Sequence, residues 1–282
     1  MATPSRAVLI TGCSSGIGHA TALRLVRAGW PVYATARRPE SLSELATAGC
    51  QTLALDVTDE ESMQAAVARI EAEHGAVGAL VNNAGYSQSG ALETLPIEAI
   101  RAQFETNVFG LLRLTQLVLP GMRRQRAGRI VLMGSMGGKL VFPGGGAYHA
   151  TKYALEALAD ALRFEVEGFG IDVALIQPGL IRTEFAGTVG RKMPDAAEGP
   201  YSHFNAEVAR ISATAYESGK ASKLAGDPDQ VAEAVEEALA AQKPKTRYPV
   251  TFGARLFMGM RRLLGDRGWD RFLSKNYPRP GA

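Results

Sequence analysis

The chain has 282 residues, of which 46% are hydrophobic and 21% charged, and its formal net charge is +3. That length buries one full core, the composition is not that of a disordered chain, and no apolar run reaches the ~18–20 residues of a membrane helix. The arginines are scattered, with one local group at Arg123, Arg124, Arg126 and Arg129, which is too little for a nucleic-acid footprint.

In chain order, residues 1–6 lead into only a short apolar stretch, unlike a secretory signal. The run 7–10 reads as a first strand. It turns through Thr11-Gly12-Cys13-Ser14-Ser15-Gly16-Ile17-Gly18 into a helical pattern on Ala22, Leu25 and Val26. Further short apolar runs follow at 32–36, 52–55, 79–81, 130–133 and 173–176. Being continuous rather than alternating, they suit strands covered on both faces. Thr58 and Glu61 form a capping-box pattern ahead of Met63, Ala66, Val67 and Ile70. A helix opening near Tyr148 has an inward stripe of Leu155, Leu158, Leu162, Val166 and Phe169. Residues 187–226 break the rhythm with Gly, Pro, Ser and Ala, and an irregular stretch of that length reads as a lid. Asp227, Pro228 and Gln230 supply cap, first-turn proline and box partner for the next helix, and Tyr248-Pro249-Val250 ends a seventh strand. The alternation predicts an α/β doubly wound parallel sheet of the Rossmann type in a single domain over 1–250, followed by a helical extension over 251–282. In that extension Leu256, Phe257, Met260, Leu263 and Leu264 fall at helical spacing beside Arg255, Arg261 and Arg262. The expectation is that this stripe packs on the domain beside the lid, with binding to a membrane surface as the lesser alternative. Cys13 and Cys50 cannot make a disulfide framework, so they are expected to be small buried apolar groups in a cytoplasmic protein.

Glycines at the first strand-to-helix turn permit tight bending and close backbone approach to a pyrophosphate, and the helix N-terminus offers free N–H groups. Their Gly-x-x-x-Gly-x-Gly spacing resembles the glycine motif of the short-chain dehydrogenase/reductase family. Asn82-Asn83-Ala84-Gly85, directly after a strand, looks like that family's second signature. The resemblance continues with Ser135 after the strand 130–133, with Tyr148 and Lys152 four residues apart, with Asn107 inside a helical stretch, and with Pro178-Gly179 and Thr183 after the strand 173–176. A second Tyr/Lys pair, Tyr216 and Lys220, has no strand before it and is read as a decoy.

The resemblance implies a nicotinamide cofactor held by Gly12, Ser14, Ser15, Gly16, Ile17 and Gly18, by Asp56 and Val57, by Asn83, Ala84 and Gly85, and by Pro178, Gly179, Ile181 and Thr183. It further implies that Asn107, Ser135, Tyr148 and Lys152 are catalytic, with Lys152 and Tyr148 also touching the cofactor. A free tyrosine has a pKa near ~10, so a neighbouring ammonium is what makes Tyr148 usable as an acid and base. The ribose-reading position, about 20 residues past the glycines, holds Thr35-Ala36-Arg37-Arg38 rather than a carboxylate. Two guanidiniums suit a 2′-phosphate, so Arg37 and Arg38 favour NADP (NADPH) over NAD.

The cleft offers Met136, Leu140, Val141, Phe142, Leu180 and Phe185 with no cluster of charge, which suits a hydrophobic alcohol, ketone or aldehyde meeting Ser135 and Tyr148. The turn at 34–38 and the long tail resemble the hydroxysteroid and retinol dehydrogenase branch. Two rival readings are a sensor that binds NADP(H) without turnover and a sugar-nucleotide epimerase. The protein is expected to assemble as a dimer or tetramer.

Overall fold

The computed structural model describes residues 3–183, 199–217 and 224–281. Seven strands form one parallel sheet: β1 (Val8–Ile10), β2 (Val32–Ala36), β3 (Gln51–Ala54), β4 (Ala79–Asn82), β5 (Gly128–Met133), β6 (Ile171–Gln177) and β7 (Arg247–Pro249). Their spatial order is β3-β2-β1-β4-β5-β6-β7. The order reverses direction at β1, which opens a crevice between β1 and β4 at their carboxyl ends.

Alternate residues of each strand feed two apolar layers. On one face Leu9, Leu80, Ile130 and Leu175 pack on α3 (Glu60–His74), α5 (Leu111–Gln125) and α6 (Gly146–Val166). On the other face Val8, Ile10, Val81 and Ile176 meet α1 (Gly16–Arg27), α2 (Ser43–Thr47) and α8 (Pro228–Ala240). The doubly wound sheet predicted from the apolar runs is therefore the fold. Burial on both faces holds for the inner strands but not for β3, an edge strand with Gln51 and Ala54 exposed.

Several local expectations are corrected. Helix α3 is capped by Asp59, whose carboxylate accepts from the N–H of Glu61 and Ser62, because Thr58 is already bonded to Asp56 Oδ1 through both its N–H and its hydroxyl. The stripe of α6 ends at Val166. The chain then tightens into a 3₁₀ turn, Glu167–Phe169, and the changed period leaves Phe169 exposed. Leu158 and Leu162 are only partly buried at the edge of the core. Within the stretch expected to be irregular lies α7 (Ser202–Glu217), whose Phe204, Val208 and Ile211 recur at helical spacing. Much of the remainder of 187–226, with Phe185 and Lys220, lies outside the described residues, as does the side chain of Tyr216.

The tail forms α9 (Phe252–Leu273), capped by Thr251, whose hydroxyl accepts from Ala254 N–H at 3.0 Å. It is interrupted at Gly265, where φ is 61° and a side chain is disfavoured. The expected packing face is wrong for most of its residues. Leu256, Leu263 and Leu264 are exposed, and the groups that dock are Phe257, Trp269 and Phe272. An aromatic cluster, rather than the leucine spacing, sets the rotation of the helix. Cys13 and Cys50 are buried and free, and burial pushes their thiols up to about 12 and about 11, which makes them inert packing groups. Among the described residues no helix is long and apolar enough to cross a membrane.

Candidate active site

The segments that follow β1 to β6 open onto one cavity of about 990 Å³. The turn after β1 needs its glycines. Gly12 has φ +71°, and a Cβ at Gly18 would lie 2.3 Å from the Gly12 carbonyl oxygen. Asn83 Nδ2 donates to the carbonyls of Thr11 and Gly12 at 2.9 and 3.1 Å, while Thr11 Oγ1 accepts from the N–H of Asn83 and of Ala84. The segment after β4 thus buttresses the turn after β1. Ser15 caps α1 with no side-chain bond to the helix, and the first turn carries no acidic residue. The N–H groups at Gly16 and Ile17 are left for an anion at the cavity wall. These features fit a dinucleotide pyrophosphate.

Of the residues expected at a cofactor, Gly12, Ser14, Ser15, Gly16, Ile17, Arg37, Asp56, Val57, Asn83, Ala84 and Gly85 line this cavity, as do Pro178, Gly179, Ile181 and Thr183. Gly18 lies just behind the wall, packed on Gly12. Arg37 faces the cavity, whereas Arg38 is exposed at the start of the 3₁₀ turn Pro39–Leu42 and is not part of the lining.

Ser135, Tyr148 and Lys152 converge on the same cavity from the end of β5 and the first turns of α6. Ser135 Oγ accepts from Gly137 N–H at 3.0 Å, which leaves its proton to donate. Lys152 is 7% exposed, donates to the Met133 carbonyl at 2.8 Å, and has its Nζ 5.6 Å from the centre of the Tyr148 ring. Burial pushes its ammonium down to about 8, so it is still largely charged at neutral pH. Asn107 sits in a π-helical turn, Glu105–Gly110, between α4 (Ile97–Phe104) and α5. Its side chain accepts from Tyr86 N–H, donates to Tyr86 O and reaches Thr151 Oγ1 at 3.2 Å, and Thr151 in turn donates to the Tyr148 carbonyl. Asn107 is therefore buried behind the wall, tying the segment after β4 to the helix that carries Tyr148 and Lys152.

The wall that α7 and the tail complete is largely apolar, with Ser212 and Asn276 as its polar members. Met136, Phe142 and Leu180 contribute as expected, joined by Val208 and Ile211 of α7 and by Phe257, Phe272, Leu273 and Tyr277 of the tail. Leu140 and Val141 do not: Leu140 is fully buried in the core, and Val141 has a side chain 41% exposed and a carbonyl that instead accepts from Trp269 Nε1 at 3.0 Å. That bond turns Phe142 inward against Phe257 and Trp269, with ring centres 6.1 and 5.9 Å away.

His149 escaped sequence reasoning, because a lone histidine beside a tyrosine carries no signal. It is buried, its Nε2 accepts from Phe142 N–H at 3.1 Å, and its Nδ1 donates to Gly137 O at 3.0 Å. Burial pushes its pKa down to about 4 against the smaller opposing effect of the Gly137 bond. The unfolded chain binds this proton near ~6.5, so the neutral clamp contributes fully above that pH and is lost as pH falls toward 4. Thermal melts across this window should show His149→Gln losing roughly 3 kcal/mol less stability than the native protein. Equal pH slopes would remove the clamp from the account.

The family described as short chain dehydrogenase matches residues 6–194. The oxidoreductase YbbO of Escherichia coli K12 is 38% identical over 270 residues, covering 95% of this chain and 94% of that protein. Estradiol 17-beta-dehydrogenase 1 of Rattus norvegicus is 36% identical over 273 residues, covering 92% of this chain and 76% of its own, in keeping with the expected likeness to hydroxysteroid dehydrogenases. A serine dehydrogenase solved in its closed form with NADP+ superposes with a TM-score of 0.75 at 28% identity, covering 87% of this chain and 94% of that one. With a parallel sheet in this order, a glycine turn at its first strand and the Ser, Tyr and Lys on one cavity, the chain belongs to the short chain dehydrogenase family of oxidoreductases.

Proposed function

We propose that the protein interconverts an uncharged, hydrophobic alcohol and its carbonyl using NADP(H), with Tyr148 as the acid–base group. The observation that carries this is the opening of Ser135, Tyr148 and Lys152 onto the cavity that also receives the glycine turn and the start of α1. When bound, the nicotinamide supplies or accepts the hydride. Ser135, its oxygen fixed by Gly137, donates to the reacting oxygen and stabilises the charge that develops there. The Tyr148 hydroxyl gives that oxygen its proton in reduction and takes it back in oxidation. Lys152, held on Met133 beside the Tyr148 ring, contributes the positive charge that favours the phenolate. Asn107, set behind the cavity lining, positions the helix through Thr151.

Arg37 at the end of β2, with Arg38 adding charge beside it, would hold a 2′-phosphate, and the NADP+ bound by the serine dehydrogenase supports the same preference. The charged lining residues Arg37, Asp56 and Lys152 sit at the cofactor and catalytic positions, while the tail and α7 contribute uncharged groups, chiefly apolar and aromatic, with Ser212 and Asn276 as polar members. A bulky, uncharged substrate fits that wall. The likeness to estradiol 17-beta-dehydrogenase 1 supports a ring-bearing lipophilic alcohol. The expected self-association into a dimer or tetramer is read directly by sedimentation equilibrium.

Replacing Phe257 by Ala removes a ring from the wall that Phe142 completes. KM for a bulky alcohol should rise about tenfold or more while NADPH affinity holds. An unchanged KM would place the substrate elsewhere.

A further inference from the structure

Helix α9 has two faces in opposite company. Inward, Phe257 and, past the break at Gly265, Trp269 and Phe272 join Phe142 in one aromatic cluster beside the cavity. Outward, Phe252, Leu256 and Leu263 are 70%, 39% and 88% exposed. Their spacing of i, i+4 and i+11 brings them to one stripe at about 3.6 residues per turn. Single exposed hydrophobics are ordinary on a protein surface, but an aligned stripe marks a contact surface. Arg255 and Arg262 are exposed along its flank. After Thr251 the chain has seven basic and two acidic residues, a local charge of +5, whereas the whole chain carries +3, so the remainder is at −2.

We propose that the outer face of α9 lies on an anionic lipid surface, with Phe252, Leu256 and Leu263 among the acyl chains and the arginines against lipid phosphates. Charge selects this occupant. A second copy docked through the same face would bring the basic flank of Arg255 and Arg262 against its own copy, and a nucleic acid would leave the apolar stripe against phosphates. Basic residues flanking an apolar stripe are what an interfacial helix needs, since long cationic side chains reach the head groups while the stripe is immersed. The contact is one of lying on the bilayer, because among the described residues no helix can span it. With its inner face on the cavity, a docked α9 sets the cavity beside the lipid. Delivery of a lipophilic substrate from the bilayer rests on the proposed activity; the docking does not.

The test sediments the full chain with vesicles of phosphatidylcholine alone and of equal parts phosphatidylcholine and phosphatidylglycerol. The protein is expected in the pellet with anionic vesicles, in the supernatant with neutral ones, and released by high salt. The double substitution F252S/L263S should weaken vesicle binding by about tenfold or more. Both side chains lie outside the cavity lining, so its thermal melt and its turnover of a small water-soluble alcohol should match the native protein. Native protein left in the supernatant with anionic vesicles, or F252S/L263S binding as tightly as native, overturns the proposal. Vesicle binding is read without cofactor or turnover, so its failure and a failure of the proposed activity are separate results.

Discussion

Tyr148→Phe should lower turnover by about 10²–10⁴-fold, the range that a positioned acid–base group contributes, while NADPH binding stays within a few-fold. The substitution removes one hydroxyl and keeps the ring that lies between Lys152 and His149. Stopped-flow turnover together with a fluorescence titration of NADPH separates the two effects. Lys152→Ala differs in kind. It removes the ammonium that burial holds near about 8, so both the rate and the cofactor affinity should fall. It also vacates a buried site next to Met133. If Tyr148→Phe retains substantial activity, the proton comes from another group and the assignment of roles is wrong.

Cofactor choice should be reversible at the end of β2. Replacing Ala36 by Asp and Arg37 and Arg38 by neutral residues removes the charges offered to a 2′-phosphate and supplies an acceptor for a ribose hydroxyl. The ratio of kcat/KM for NADP+ over NAD+ should drop by about tenfold or more, since charge-assisted contacts are the strong ones even where solvent reaches them. Arg37 faces the cavity and Arg38 does not, so most of the change should appear in the Arg37 substitution alone. A native protein that already prefers NAD+ in a side-by-side comparison contradicts the reading of this turn.

How much of this was legible depends on whether the information was local. The glycine turn is local: the positive φ at Gly12 and the close approach at Gly18 admit no other residue, so the pattern survives as letters. Tyr148 and Lys152 are likewise fixed by one helix, with Ser135 at the end of the neighbouring strand. What failed was decided by contacts far apart in sequence. Val141 and Phe142 are adjacent apolar residues, and only the distant Trp269, by taking the Val141 carbonyl, decides which of them faces the cavity. Leucine spacing in the tail predicted the wrong inward face, because three aromatic residues on either side of a glycine break outweigh it. His149 gains its meaning from Gly137 and Phe142, neither of which marks it in the sequence. At Thr58 the cap pattern was right in form, but Asp56 competed for the same hydroxyl and the neighbouring Asp59 took over.

The central claim is direct hydride transfer between a hydrophobic alcohol and a nicotinamide at this cavity. Incubation with NADP+ and a lipophilic secondary alcohol carrying deuterium at the carbinol carbon tests it in one mass-spectrometric measurement. The account predicts deuterated NADPH and the matching ketone, both absent with Tyr148→Phe. Bound NADP+ with no reduced cofactor across a panel of such alcohols, or alcohol recovered with inverted configuration and no net reduced cofactor, would contradict it.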